Sequence, residues 1–140
     1  MNRFSLLKKI VVGSISKLTT MKAFFPSKLA EIIFALAIGY FGYLYIRNAE
    51  TMTGAIPDYL PGDSKIWIYI LGTGYVLSAL AILTGFLKTV ACYLLAAELL
   101  VIVFAIHLKP AINNDPVNTS MLLKNTVMAM CAILIGNNKK

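Results

Sequence analysis

Four stretches of this chain each run for about twenty residues with almost no charge, the length a helix needs to cross a bilayer core of roughly 30 Å. They cover residues 29–46, 66–87, 89–108 and 120–136. The last is the shortest and most polar, since it contains Lys124 and Asn125. Hydrophobic residues make up 59% of the 140, against about 45–50% in a typical soluble domain. Mean hydropathy is +0.76. A water-soluble chain of this size cannot bury so much apolar surface, so lipid is its natural solvent. The expected fold is all-α: an integral membrane four-helix bundle with short loops over residues 29–140, preceded by an amphipathic segment over 1–28.

The breaks between the runs differ in character. "RNAETMTGAIPDYLPGDSK" is long and polar and separates the first two spans. The second and third are divided by little more than Lys88, which makes them antiparallel neighbours in a tight hairpin. "KPAINNDPVNT" holds two prolines and reads as a loop, because proline donates no N–H and disfavours helix in the residue before it.

Charge sets the orientation. The chain carries 13 Lys and Arg against 6 Asp and Glu, a net charge of +7. Arg3, Lys8, Lys9, Lys17, Lys22 and Lys28 precede the first span; Lys88 lies in the hairpin and Lys139 and Lys140 at the end. Arg47, Lys65 and Lys109 fall on the opposite side, with Lys124 just inside the fourth span. Positive charge stays in the cytoplasm, so both termini are expected there, in a multi-pass protein of the cytoplasmic (inner) membrane. "GAIPDYLPGDSKIW" and "KPAINNDP" then face outward together. Tyr59, Trp67 and Tyr69 suit an aromatic belt at that interface. Basic residues clustered beside a span need no nucleic acid to explain them, and no nucleic-acid signature is present. Phe4, Leu7, Ile10 or Val11, Ile15, Leu18 and Met21 recur at helical spacing between lysines, as in a basic helix lying on a leaflet. A start at Met21 is the alternative.

Lipid gives helices no hydrophobic reason to associate, so small residues that admit close backbone approach mark the packing faces. Ala35, Gly39 and Gly42 share a face of the first helix. Gly74, Ser78, Ala81 and Gly85 form a stripe on the second, and Asn125, Ala129, Ala132 and Gly136 on the fourth.

Glu98, in "LLAAELLVIVF", is the residue most suggestive of chemistry. An ionised carboxylate at mid-membrane costs about 2.5–3.5 kcal/mol on insertion scales, so it should face the bundle, protonated or paired with a cation. Lys124 and His107 are the candidate partners, and Asn125 and Tyr45 could line the same outward-opening pocket. The competing reading makes Glu98 and Lys124 a register-fixing pair, or lets Lys124 snorkel to the interface. Cys92 and Cys131 lie in apolar runs and read as buried small residues. One histidine is too few for a protein metal site, and no phosphate-binding loop or nucleophile elbow is present.

"FALAIGYFGYLYIRNAETMTGAIPDYLPG", "WIYILGTGYVLSALAILTG", "LLAAELLVIVFAIHL" and "MLLKNTVMAM" together resemble the DoxX-like family of small bacterial four-helix membrane proteins, over roughly residues 26–136. His107 and Lys124 match the family pattern, whereas Tyr45 stands where many relatives carry histidine or lysine. The resemblance implies a four-span bundle, and some members are associated with quinone-linked sulfur oxidation or oxidative-stress complexes. The expected function is a membrane subunit or accessory protein of a redox system, with no resident cofactor in the chain and a quinone or small thiol compound as ligand. It need not be an enzyme on its own. Alternatives are a scaffold or assembly factor with a membrane or cytoplasmic protein partner, and a small-solute transporter, which would need a homo-oligomer.

Overall fold

The computed structural model describes residues 3–138. It is helical throughout its regular structure: α1 (Arg3–Arg47), α2 (Ser64–Thr84), α3 (Lys88–Ile102), α4 (Leu108–Ile112) and α5 (Pro116–Asn137). Among the described residues, four segments are long and apolar enough to span a membrane: Ser27–Arg47, Ser64–Thr84, Lys88–Ile112 and Pro116–Asn137. The protein is therefore a four-helix membrane protein. α1 packs on α2, α2 on α3, and α3 on α5. Asn138 reaches Ser27 with its side-chain amide (3.2 Å), bringing the last helix back beside the start of the first span. We call this end of the bundle, with the α2–α3 turn, the base, and the opposite end the top.

The buried core interleaves small side chains with large ones such as Ile38, Ile68, Leu95 and Leu99, while many large apolar side chains stand on the outer surface. Ala35, Ala79, Cys92, Ala96, Ala129 and Ala132 are buried, while Leu36, Leu77, Val101, Phe104, Val127 and Leu134 are exposed. This is the arrangement expected where close packing, not water, drives helices together. A Cβ added to Gly42 would stand 2.6 Å from the Gly72 carbonyl oxygen, and one on Gly39 would stand 3.1 Å from Ala79 Cβ. At the other seam, a Cβ on Gly136 would lie 2.9 Å from Cys92 Cβ.

Several sequence expectations are corrected. α2 stops at Thr84 and not at residue 87, because Gly85 adopts a left-handed conformation (φ 78°) and its N–H bonds the Ala81 carbonyl. Gly85 is thus an exposed helix terminator, not a packing residue, with nothing within 4 Å of an added Cβ. Glycine is favoured there because an L side chain resists positive φ. "KPAINNDPVNT" is not a loop along its length. Helix continues through Pro110 to Ile112, and only residues 113–115 break it, with Asn114 left-handed (φ 63°). Before Pro110 the helix widens into a π turn, Val103–His107, where the Leu108 N–H bonds the Val103 carbonyl five residues back. In that register the missing proline N–H leaves the Ala105 carbonyl without its donor. The Tyr59 hydroxyl, from the loop between α1 and α2, donates to that carbonyl.

The amphipathic segment and the first span are one continuous 45-residue helix. At 1.5 Å per residue it is about 65 Å long, twice the bilayer core. Leu7, Ile10 and Val11 of the expected apolar face are exposed. Phe4, Ile15, Leu18 and Met21 lie outside the residues whose side chains are described.

Candidate functional site

Glu98 sits on α3 between the buried positions Leu95, Ala96, Leu99 and Ile102. Its side chain turns toward α2 and rests on Gly74. A Cβ at Gly74 would come within 2.5 Å of Oε2 and 2.9 Å of Oε1, so the carboxyl occupies space that only glycine leaves open. Among the described residues, Glu98 Oε1 is the buried side-chain oxygen that finds no hydrogen-bond partner. An unpaired buried polar group costs about 1–3 kcal/mol, more if charged. Its retention needs a reason.

The carboxyl lies where two cavities meet along the α2–α3 seam. The cavity toward the top has a volume of about 300 Å³, and its lining includes Leu60, Trp67, Ile70, Val101 and Ile106. The cavity toward the base measures about 410 Å³, with Leu77, Ser78, Phe86 and Leu94 among its walls. Gly74 and Glu98 belong to both. Together they form an apolar furrow with one carboxyl at its midpoint. The polar loop that interrupts the first two spans closes the upper end. Ile56 and Leu60 point into the furrow from above. Trp67 Nε1 donates to the Pro61 carbonyl (2.9 Å), and Tyr59 ties the same loop to the π turn that follows α3. The loop is a roof fastened to the helices beneath it.

The other expected site residues distribute themselves unevenly. Tyr45 is near the upper part of the site: its ring meets Tyr75 edge-on at 5.7 Å, and it lines a small cavity that shares Ile56, Leu71, Ile102 and Ile106 with the upper part of the furrow. His107 lines a small cavity of about 40 Å³ beside Tyr45, next to the upper cavity. Its Nδ1 lies 2.8 Å from Asn118 Oδ1, and Asn118 Nδ2 donates to Asp115 Oδ2 at 2.8 Å. Asp115 caps α5 by accepting from the Val117 and Asn118 N–H groups. These hydrogen bonds, led by that from the Asn118 side chain, hold the Asp115 carboxyl below its ordinary pKa.

Lys124 does not meet Glu98. Its Nζ stands 5.1 Å above the Phe41 ring on α1 and 3.3 Å from Met121 Sδ, on an exposed face of α5. Asn125 is buried with Ala129, Ala132 and Gly136 in the stripe that the sequence marks. Gly74, expected as a helix-packing residue, instead seats the Glu98 carboxyl. Ser78 and Ala129 are buried as expected, with Gly39 and Gly42 at the α1–α2 contact. Among the described residues, no group of three or more His, Cys, Asp or Glu could hold a metal ion.

A second carboxylate escaped the sequence reading. Glu31, on the first span, is 5% exposed. Lys28 Nζ approaches its Oε2 at 2.8 Å and Lys88 Nζ its Oε1 at 2.6 Å. The available signal was Lys28 three residues before Glu31, a spacing that places both on one helix face.

The chain belongs to the family described as Domain of unknown function (DUF8561), whose model matches residues 34–135. That range includes the furrow, its roof and Glu98, and stops short of Lys28 and Glu31. No curated protein and no solved structure matches the chain.

Proposed function

We propose that the protein is a membrane subunit or accessory protein of a quinone- or thiol-linked redox system, and that it holds a quinone-type headgroup at Glu98. The observation that carries the reading is the unpartnered Glu98 Oε1 at the midpoint of an apolar furrow. A ligand with a polar head and a hydrocarbon tail supplies what this site lacks. Ionised, the carboxyl accepts a hydrogen bond from a hydroquinone hydroxyl; protonated, it donates one to a quinone carbonyl. Sites of this kind are apolar with few polar groups that fix orientation. The resemblance to the DoxX-like family points the same way. The excess of Lys and Arg at the base orients the termini toward the cytoplasm of a bacterial-type inner membrane, which turns the roofed end of the furrow outward.

The test is extraction of the protein from its native membrane in mild detergent, followed by quinone analysis of the bound lipids. Stoichiometric quinone in the wild type, lost in Glu98→Gln with the protein still monodisperse, is the expected result. Absence of quinone from both would refute the reading.

A second reading, as a scaffold or assembly factor, rests on a different observation. Residues 5–14 of α1 extend away from the bundle with Leu6, Leu7, Ile10, Val11 and Val12 exposed. A stoichiometric protein partner lost on deleting residues 1–20 would favour it.

A further inference from the structure

The base of the bundle holds a second site, of different chemistry. Lys28 and Lys88 share the single carboxylate of Glu31. Two ammonium groups on one carboxylate leave a net positive charge. Each ammonium carries three N–H donors, and each reaches Glu31 with one close contact. The lysine side chains are 27% and 12% exposed, so the cations are held in place yet reachable. They line a cleft of about 540 Å³ with Thr84, Thr89 and Asn138. The first turn of α3, which no side chain caps, opens on the same cleft and adds its positive end.

A second cavity of about 540 Å³ adjoins this cleft, between α1 and α5. Its walls are apolar, with Phe34, Cys131, Leu134 and Ile135 among them. Glu31 and Asn138 belong to both cavities and mark their junction. Lys28 and Lys88 stand at the ends of their spans, the depth at which lipid headgroups lie. A cationic cleft continuing into an apolar groove at that level matches an anionic headgroup with its acyl chain.

We infer that the cleft formed by Lys28, Glu31 and Lys88 binds a phosphate anion, supplied as the headgroup of an anionic phospholipid whose acyl chain lies in the groove beside Phe34 and Leu134. Basic pockets between spans are a recurrent way of holding such headgroups. The site is separate from Glu98 and does not depend on what the furrow holds. Glu31 tempers the site: it fixes the two lysines while cancelling one of their charges.

The experiment titrates the full chain, in neutral detergent, with phosphatidylglycerol, with phosphatidylcholine of the same acyl chains, and with inorganic phosphate. Bound molecules are counted by native mass spectrometry. Phosphatidylglycerol is expected to be retained in preference to phosphatidylcholine. Lys28→Gln and Lys88→Gln should each weaken it about fivefold, the effect of one lysine charge near a membrane surface. Glu31→Gln should strengthen it by about the same factor, and Lys65→Gln, at the top of the bundle, should leave it unchanged. Inorganic phosphate retained as firmly as phosphatidylglycerol would keep the cation site and assign it to a free anion, without the groove. Two results overturn the proposal: no preference for either anion over phosphatidylcholine, or Glu31→Gln weakening retention in protein that stays monodisperse. The second would make the cluster a structural brace alone. The lysine and glutamate variants have opposite expected signs, so loss of folding in one of them does not imitate the result.

Discussion

Glu31 and Glu98 are the same side chain, on the first and third spans, in opposite circumstances. Glu31 lies about one turn inside the base and is met by two lysines, one from its own helix and one from the start of α3. Glu98 lies at mid-span, rests on a glycine, and has an oxygen that nothing answers. Depth explains much of the contrast. A lysine near the end of a span can lay its stem along apolar surface and keep its ammonium at the interface. No lysine can serve mid-span on those terms, and Lys124 shows it by turning to the Phe41 ring on the exposed side of α5. A satisfied carboxylate at the interface supports the fold. An unsatisfied one at mid-membrane works against it.

Substitutions can break this contrast. The largest expected effect is from Glu31→Ala, which leaves Lys28 and Lys88 confined without an anion. Breaking a buried pair costs about 3–5 kcal/mol, and the partial exposure of Lys28 lowers the expectation to about 2–3 kcal/mol. Thermal unfolding in detergent reads it; an unchanged midpoint would show that the pairing is incidental. Gly42→Ala comes next. Its Cβ would meet the Gly72 carbonyl at 2.6 Å, a backbone atom that cannot swing aside, and overpacking of this kind costs about 1–3 kcal/mol. Gly74→Ala meets only the movable Glu98 side chain, so it should destabilise less while expelling the carboxyl from its seat. Quinone retention would fall as in Glu98→Gln.

Glu98→Leu should carry the opposite sign to Glu31→Ala. Removing an unpaired polar group from an apolar site is neutral or stabilising, here by about 1 kcal/mol in ligand-free protein. Destabilisation by more than that would mean Glu98 is a structural residue and would remove the argument for a site. The smallest effect concerns Asp115. Its folded pKa is lowered, mainly by Asn118, so its contribution is present above the unfolded pKa and lost as pH falls through the lower folded value. The protection of the Val117 and Asn118 amides, measured against their intrinsic exchange rates at each pH, should therefore fall on acidification below the ordinary carboxylate range, and Asp115→Asn should abolish that dependence.

The α5 stripe was legible in full: Asn125, Ala129, Ala132 and Gly136 are its buried residues. α5 carries one row of small residues, so periodicity had one answer. α2 carries two. Gly72 and Ala79 meet α1, while Gly74 turns to α3 and its glutamate. Spacing alone does not say which row receives a backbone and which receives a carboxyl, and the row that ends in Gly85 ends in a terminator. Glu98 was legible as a costly residue, but its neighbours were not. Lys124 was the nearest cation by depth, and depth along a helix says nothing of the angle around the bundle. Pro110 reads as a loop marker in sequence because proline usually is one. A π turn and a tyrosine from another loop let the helix pass through it.

The sequence by itself determined the solvent, the number of spans and their antiparallel order, because those follow from apolar length and from the positions of charge, which are properties of each segment alone. The tertiary structure decided which carboxylate is answered. Lys88 reaches Glu31 from another helix, and Gly74 admits Glu98 from a third side of the same bundle. Such meetings depend on how each helix is rotated about its axis. That rotation is fixed only when the small residues of all the spans close on one another together.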